Sequence, residues 1–434
     1  MLGGLIIYRY IQSYVYKELM STNHLNTPFT LPCGAVIQNR LVKAAMTERI
    51  SVKNLAPTEE HNQLYRTWAA TGAGLHITGN VIIDPVHVES AGNIYVGDEK
   101  IVPKLKLMAA AATSGGHHAW AQISHAGRQT NRFSTFRPMA PSEVQLHLLG
   151  LFGKPRAMTE EDIEQVIEGY VKAAVICQQA GFTGVQLHAA HGYLLSQFLS
   201  PNINQRTDNW GGSLENRSRL LMTIIDKVRQ ETGPSYPISV KLNSSDFQRG
   251  GFAEEESLEV IKMLDGKIDL LEISGGTYEK LVFFEMNEDV STIKESTRQR
   301  EAYFIEFSKK VRAITKTPIM ITGGFRTFDF CNQVLGSGEL DFIGMARPFV
   351  TDLNAIPGFL AGEVKQLSNL VLRTGIKALD STAEGGFYAK QIIRIAQGQE
   401  VDMQMRPLAG STFFVYHEFS KSMKRRLASR SHKA

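Results

Sequence analysis

The sequence predicts an α/β chain: a (β/α)8 TIM barrel with an N-terminal hairpin and a C-terminal helical extension. Three observations predict it. Eight short apolar, β-rich runs recur with helical segments between them, the alternation expected of parallel strands and helical crossovers. The 434 residues suit one barrel of roughly 250 to 400 residues. A glycine pair ends the seventh run and an arginine follows the eighth, which is where such barrels hold phosphate.

The elements follow in order. Residues 1–20 read as a leader or extension. Leu2–Ile7 is apolar but soon meets Arg9, Gln12, Lys17 and Glu18, so it is too short and interrupted to span a bilayer, and no small-residue cleavage site follows. It is either an amphipathic surface anchor or an upstream extension ahead of Met20-Ser21, and the extension is preferred. The barrel takes residues 21–360, and Phe29–Gly34 reads as a small hairpin plugging its floor. The strand runs are Leu41–Met46, Gly74–Ile83, Ala119–Ser124, Val185–His188, Ile238–Asn243, Leu270–Ser274, Pro318–Thr322 and Phe342–Met345. Ahead of the fourth, Thr159-Glu160-Glu161-Asp162 resembles a capping box. Ile163, Val166, Ile167, Tyr170, Val171 and Ala174 then keep helical spacing, and Gly181 supplies a left-handed stop. Residues 361–434 lose the strand pattern and read as a helical extension with a basic tail. In that tail Lys421, Lys424, Arg425, Arg426, Arg430 and Lys433 face only Glu418, and a frayed, solvated end is favoured over a nucleic-acid or lipid contact.

Composition narrows the class. The net charge of +4 is small, and hydrophobic and charged fractions are those of an ordinary globular protein. Cys33, Cys177 and Cys331 are far apart without CxxC spacing, which excludes a disulfide framework or an all-cysteine cluster and points to a reducing, cytoplasmic setting. The expected partner is a small-molecule substrate, with no nucleic acid and no stable membrane span; a homo-oligomer stays open.

Chemistry gathers at the strand ends. Strand side chains alternate faces, so Gln186 and His188 share one side while Val185 and Leu187 take the other. His191 and Tyr193 follow in the loop, so two imidazoles and a phenol gather around one small volume as donors and a proton source. The plain alternative is a pair of satisfied histidines with a packing tyrosine. Gln122 lies on the third strand, and Lys241 on the fifth points inward between Val240 and Leu242. Gly323 and Gly324 on the seventh strand, with Ala346 and Arg347 after the eighth, form the expected phosphate site.

These residues resemble the Old Yellow Enzyme family of flavin-dependent ene-reductases, from about Pro28 to Asp352. The resemblance rests on Asn39–Thr47, Gln122–Arg128, Met158–Ile163, Leu187–Pro201 and Gln205–Arg217. It implies one FMN at the C-terminal mouth and reduction of an activated C=C bond by ping-pong hydride transfer. By position, Ala45, Met46 and Thr47 would lie beside flavin N5 and O4, and Gln122 at the pyrimidine edge. Lys241, where relatives often carry arginine, would stand near N1 and O2, and Gly323, Gly324, Ala346 and Arg347 at the phosphate. His188 and His191 would grip a substrate carbonyl, and Tyr193 would protonate Cα. Thr47 departs from the cysteine of one branch, and Glu48-Arg49 departs from that branch's next aromatic contact. A cluster-bearing relative type is excluded by its missing cysteines. Gly72-Ala-Gly74 lacks the third glycine of a dinucleotide fingerprint. Electrons would therefore come from free NADH or NADPH.

Three rival readings are weighed. A metal-dependent hydrolase would use His188 and His191 as ligands but lacks a His-x-His on the first strand, and no metal is expected. A Schiff-base aldolase on Lys241 gives no role to Gln122 or the histidines. A flavin-binding scaffold without turnover would not need the His–His–Tyr set. The segment Gln129–Arg156, with Phe133, Phe136, Leu146, Leu148, Leu149 and Phe152, either covers the pocket or packs on the rim.

Overall fold

The computed structural model describes residues 22–51, 54–148, 150–274 and 306–431; the expected leader at 1–20 lies outside them. Eight strands form the ring: β1 (Leu41–Lys43), β2 (Leu75–Ile82), β3 (His118–Ser124), β4 (Gly184–Ala189), β5 (Ile238–Asn243), β6 (Leu270–Ser274), β7 (Ile319–Thr322) and β8 (Phe342–Met345). They pair in parallel in chain order, and Ile343 opposite Leu41 closes the ring from β8 to β1. All eight predicted runs are strands. β1 stops at Lys43, three residues before the apolar run does, because Ala45–Thr47 turn away into the loop that meets Glu89.

Register decides what fills the barrel. Side chains paired across parallel strands face the same side. The floor is apolar: Val42, Leu75, Ile77, Trp120, Leu270, Met320 and Phe342 form one cluster with Leu31 and Ile37. Leu31 and Ile37 belong to the hairpin of Phe29–Thr30 and Val36–Ile37, and Phe29 meets Phe342 edge-on at 5.1 Å. The floor plug expected from the sequence is therefore present. Gly184 makes room for it, since a Cβ there would lie 2.6 Å from the Trp120 indole nitrogen. One layer higher, register aligns Gln122 with Gln186, His188 with Lys241 and Lys241 with Glu272, so the upper interior is polar.

The outer ring carries α1 (Glu59–Ala69), α2 (Val102–Ala112), α3 (Glu160–Gln179), α4 (Leu214–Thr232), α5 (Glu254–Leu264) and α6 (Phe328–Gly336), with further helical residues at 306–312. α3 starts as predicted. Thr159 Oγ accepts the Asp162 amide, the Asp162 carboxylate accepts the Thr159 amide at 2.8 Å, and Gly181 follows the helix at φ 90°. Beyond the barrel, α7 (Lys377–Ala396) and α8 (Pro407–Ser431) pack on each other, and α7 also packs on α1. The start of the expected frayed tail is ordered instead: helix runs to Ser431, and Lys421 donates to the carbonyls of Ile50 and Ser51 at 2.8 and 2.6 Å, while Lys424 is exposed. Backbone carbonyls of the β1 loop supply the partners that the local sequence does not. Among the described residues, no helix is long and apolar enough to cross a membrane.

Candidate active site at the barrel mouth

The upper barrel layer is one hydrogen-bonded network. Gln122 Nε2 donates to Gln186 Oε1 at 2.6 Å, and Gln186 Nε2 donates to Glu272 Oε2 at 2.8 Å. Glu272 Oε1 accepts from Thr322 Oγ at 2.7 Å and pairs with Lys241 Nζ at 2.9 Å. Glu272 is fully buried and Lys241 nearly so. A buried charge is tolerated when hydrogen bonds and a counter-charge meet its lone pairs, and three side chains, Gln186, Thr322 and Lys241, meet those of Glu272 here. Lys241 is thereby engaged in an ion pair, which suits a fixed positive charge better than a free amine nucleophile.

His188, His191 and Tyr193 converge as the sequence indicates. His188 stacks edge-on to His191 at 5.1 Å and to Tyr193 at 4.7 Å. His191 holds a left-handed φ of 59°, uncommon for a side chain with a Cβ. Its peptide is clamped on both sides: its N–H donates to Asn243 Oδ1 at 3.2 Å and its carbonyl accepts Gln129 Nε2 at 2.9 Å. The rings themselves are linked. His188 Nδ1 lies 2.8 Å from Asn80 Oδ1, His188 Nε2 lies 3.0 Å from His191 Nδ1, and His191 Nε2 lies 2.7 Å from Ser274 Oγ. Burial pushes the His188 pKa well down, helped by His191 and Lys241, and burial with Lys241 does the same for His191. Both rings are therefore neutral, with one N–H each. The Tyr193 hydroxyl donates to Glu89, and so does that of Thr47.

The opposite end of the mouth has the character of an anion site. Gly323 and Gly324 take φ of 108° and 86°, open only to glycine, which leaves the turn free of side chains. Arg347 lies at the start of the short helix Pro348–Thr351. Arg326 is close by, its pKa brought down to about 10 by burial and then by the charge of Arg347. Two guanidiniums beside a bare glycine turn suit a phosphate group. Glu384 of α7 sits 3.0 Å from Arg347, an ion pair with the extension that strand patterning did not indicate. The donor set at this end, with Gln122 and Lys241 between it and the histidines, fits a flavin mononucleotide.

Asn80, Glu89, Ser274 and Glu272 were not singled out from sequence. Two had a signal: Asn80 follows Thr78 on one face of an apolar strand, and Glu272 interrupts Leu-Leu-Glu-Ile. Glu89 had none, because it lies in an irregular loop. Among the described residues, Asp84, His87 and His125 could also gather around a metal ion. Their hydrogen bonds say otherwise. His87 Nε2 accepts the Met139 amide at 3.1 Å, so its Nδ1 carries the proton that faces Asp84 at 2.6 Å; His125 Nδ1 accepts the Gly127 amide at 3.0 Å, which puts its proton on Nε2, 3.7 Å from Asp84. Burial raises the Asp84 pKa, but these two donors outweigh it and hold the carboxyl below its usual range. The trio ties the β2 and β3 loops together.

Comparison with known proteins agrees on one family. The profile of the NADH:flavin oxidoreductase / NADH oxidase family matches residues 24–358. The NADH-dependent flavin oxidoreductase nadA of Aspergillus parasiticus is 37% identical over 344 residues, covering 75% of this chain and 76% of that one. The NADH-dependent flavin oxidoreductase iliE of Neonectria sp. is 34% identical over 358 residues, covering 77% of this chain; the match spans only 46% of that longer relative. Among solved structures, the old yellow enzyme homologue from Zymomonas mobilis superposes with a TM-score of 0.66 at 25% identity, over 80% of this chain and 95% of that one.

Proposed function

Because the chain belongs to the NADH:flavin oxidoreductase / NADH oxidase family, we propose that it is an FMN-dependent NAD(P)H oxidoreductase that reduces the activated C=C bond of α,β-unsaturated carbonyl compounds and related electron-poor alkenes. The observation that carries this reading is the convergence of two neutral imidazoles and a phenol beside a polar barrel layer and an anion site. When bound, FMN supplies the hydride that adds to the electron-poor carbon. Ala45, Met46, Thr47 and Gln122 would hold the ring system, Lys241 its pyrimidine edge, and Gly323, Gly324, Ala346 and Arg347 its phosphate.

The chain's own side chains do the rest. His188 and His191 draw electron density from the substrate carbonyl through N–H donors placed in a dry site, where such donors act most strongly. Tyr193 transfers its hydroxyl proton to Cα as charge builds there. NAD(P)H and the alkene take turns at the same mouth, which gives ping-pong turnover, and the reduced thiols suit the cytoplasm. Anaerobic reduction by NADH and by NADPH, followed by mixing with a panel of enones, nitroalkenes and quinones, tests this. Reduction by a pyridine nucleotide and reoxidation by several of the alkenes is the expected result. Protein that cannot be reconstituted with FMN, or a reduced form that reacts with oxygen but with no alkene, overturns the reading.

A further inference from the structure

We propose that Glu89 is a positioning residue: through Asn80 it sets which nitrogen of His188 and of His191 carries the proton, and with the same carboxylate it holds the Tyr193 hydroxyl. The inference deepens the proposed alkene reduction and rests on it for its mechanistic meaning. Glu89 lies in the loop after β2. One of its oxygens accepts from Thr47 Oγ; the other accepts from the Tyr193 hydroxyl and from Asn80 Nδ2, the latter at 2.5 Å.

The proton positions follow by elimination. A carboxylate only accepts, so Asn80 turns its NH2 to Glu89 and its oxygen to His188. An amide oxygen also only accepts, so His188 carries its proton on Nδ1. Its bare Nε2 then takes the N–H of His191 Nδ1, and the bare His191 Nε2 takes the Ser274 hydroxyl. One acceptor thus fixes the direction of a chain five side chains long. In this direction both ring protons point along the chain and neither is offered to a carbonyl oxygen.

Substrate binding calls for the reverse direction. Glu89 takes one proton from water and donates it to Asn80 Oδ1; the amide turns its NH2 to His188 Nδ1, and each ring moves its single proton to Nε2. The Tyr193 hydroxyl faces a neutral acid in place of a charged acceptor at the same moment. When Tyr193 then gives its proton to Cα, its O–H bond breaks and a C–H bond forms. Glu89 returns its proton to the phenolate and is a carboxylate again, so each alkene consumes one solvent proton. Among the described residues, the other ionisable groups around this chain are Lys241 and Glu272 on the barrel side, and Arg49 and Glu418 behind Ser90.

The test is nitrogen NMR of the FMN-loaded enzyme with labelled histidine, using His188→Ala and His191→Ala to assign the signals. In the parent, both Nε2 resonances fall in the pyridine-type range. In Glu89→Gln the lock is removed, because an amide can donate to Asn80 as well as accept from it, and both Nε2 resonances move toward the pyrrole-type range. In Asn80→Ala, the Glu89→Gln change produces no such move. Unchanged tautomers in Glu89→Gln, or a shift that persists without Asn80, each overturn the proposal. These signals need no turnover, so an enzyme that reduces no alkene would sink the proposed function while leaving this assignment standing.

Discussion

The Tyr193 ring packs against His188 while its hydroxyl reaches Glu89, so packing and proton chemistry can be separated in one residue. Tyr193→Phe keeps the first and deletes the second. Flavin reduction by NAD(P)H should survive nearly unchanged, whereas reoxidation by a weakly activated enone slows by roughly 10²- to 10⁴-fold. Stopped-flow traces of the two half-reactions decide it; equal slowing of both, or of neither, removes Tyr193 as the acid. At the other end of the mouth, Arg347→Ala should weaken FMN retention by about 1.5–3 kcal/mol through loss of charge-assisted hydrogen bonds. Glu384→Gln serves as the control, because it frees Arg347 from its ion pair without removing the guanidinium. Equilibrium dialysis of FMN showing equal loss in both variants, or none in Arg347→Ala, would place the phosphate elsewhere.

α8 is docked by specific polar contacts to the loops that carry Thr47 and Glu89. The Glu418 carboxylate pairs with Arg49 at 2.5 Å, accepts Ser90 Oγ at 2.7 Å and accepts the Ala91 amide at 3.2 Å. His417 donates to the Arg49 carbonyl at 3.0 Å, and Phe419 meets Phe133 of the Gln129–Arg156 segment edge-on at 5.6 Å. Arg49 itself holds a left-handed φ of 61°, a conformation that persists because these partners over-determine it. Removing one partner of a largely buried pair leaves the other charge uncompensated. Glu418→Ala should therefore lose about 3 kcal/mol in urea unfolding. It should also slow alkene turnover more than flavin reduction, since the Thr47 and Glu89 loops lose a shared anchor. A variant as stable as the parent would show that α8 is held by other contacts. None of this was visible in the tail's local pattern, where Glu418 stood as a lone acid among bases.

Acid sensitivity belongs to the whole chain, because its histidines are buried on several different elements. Burial pushes His61 of α1 and His76 of β2 down to about 3, and lowers His125, His188 and His191 as well. The unfolded chain binds protons at these rings as pH falls through about 6.5, while the folded chain binds them at His61 and His76 only near 3 and at the other three only below their ordinary range. Between those limits the unfolded state holds more protons, so stability falls as pH falls. The urea midpoint should be level between pH 8 and 7 as far as these groups are concerned and drop steadily from pH 6.5 to 4.5. A midpoint that stays level across the lower window would mean that the rings charge inside the fold.

The sequence by itself determined the barrel and the neighbourhood of the site. Eight apolar runs with alternating faces dictate eight strands, and the direction of a parallel strand dictates that His188, His191, Lys241, Gly323 and Arg347 end at one mouth. These are local properties, set by period and chain direction. Only the tertiary structure decided which polar groups meet there. Glu89 reaches Tyr193 across 104 positions, Asn80 reaches His188 across 108, and Glu418 reaches Ser90 across 328. Hydrogen bonds between loops depend on barrel register and helix docking, which no local window contains. That is why the residues expected to carry the chemistry were legible in the sequence, and the partners that place their protons were not.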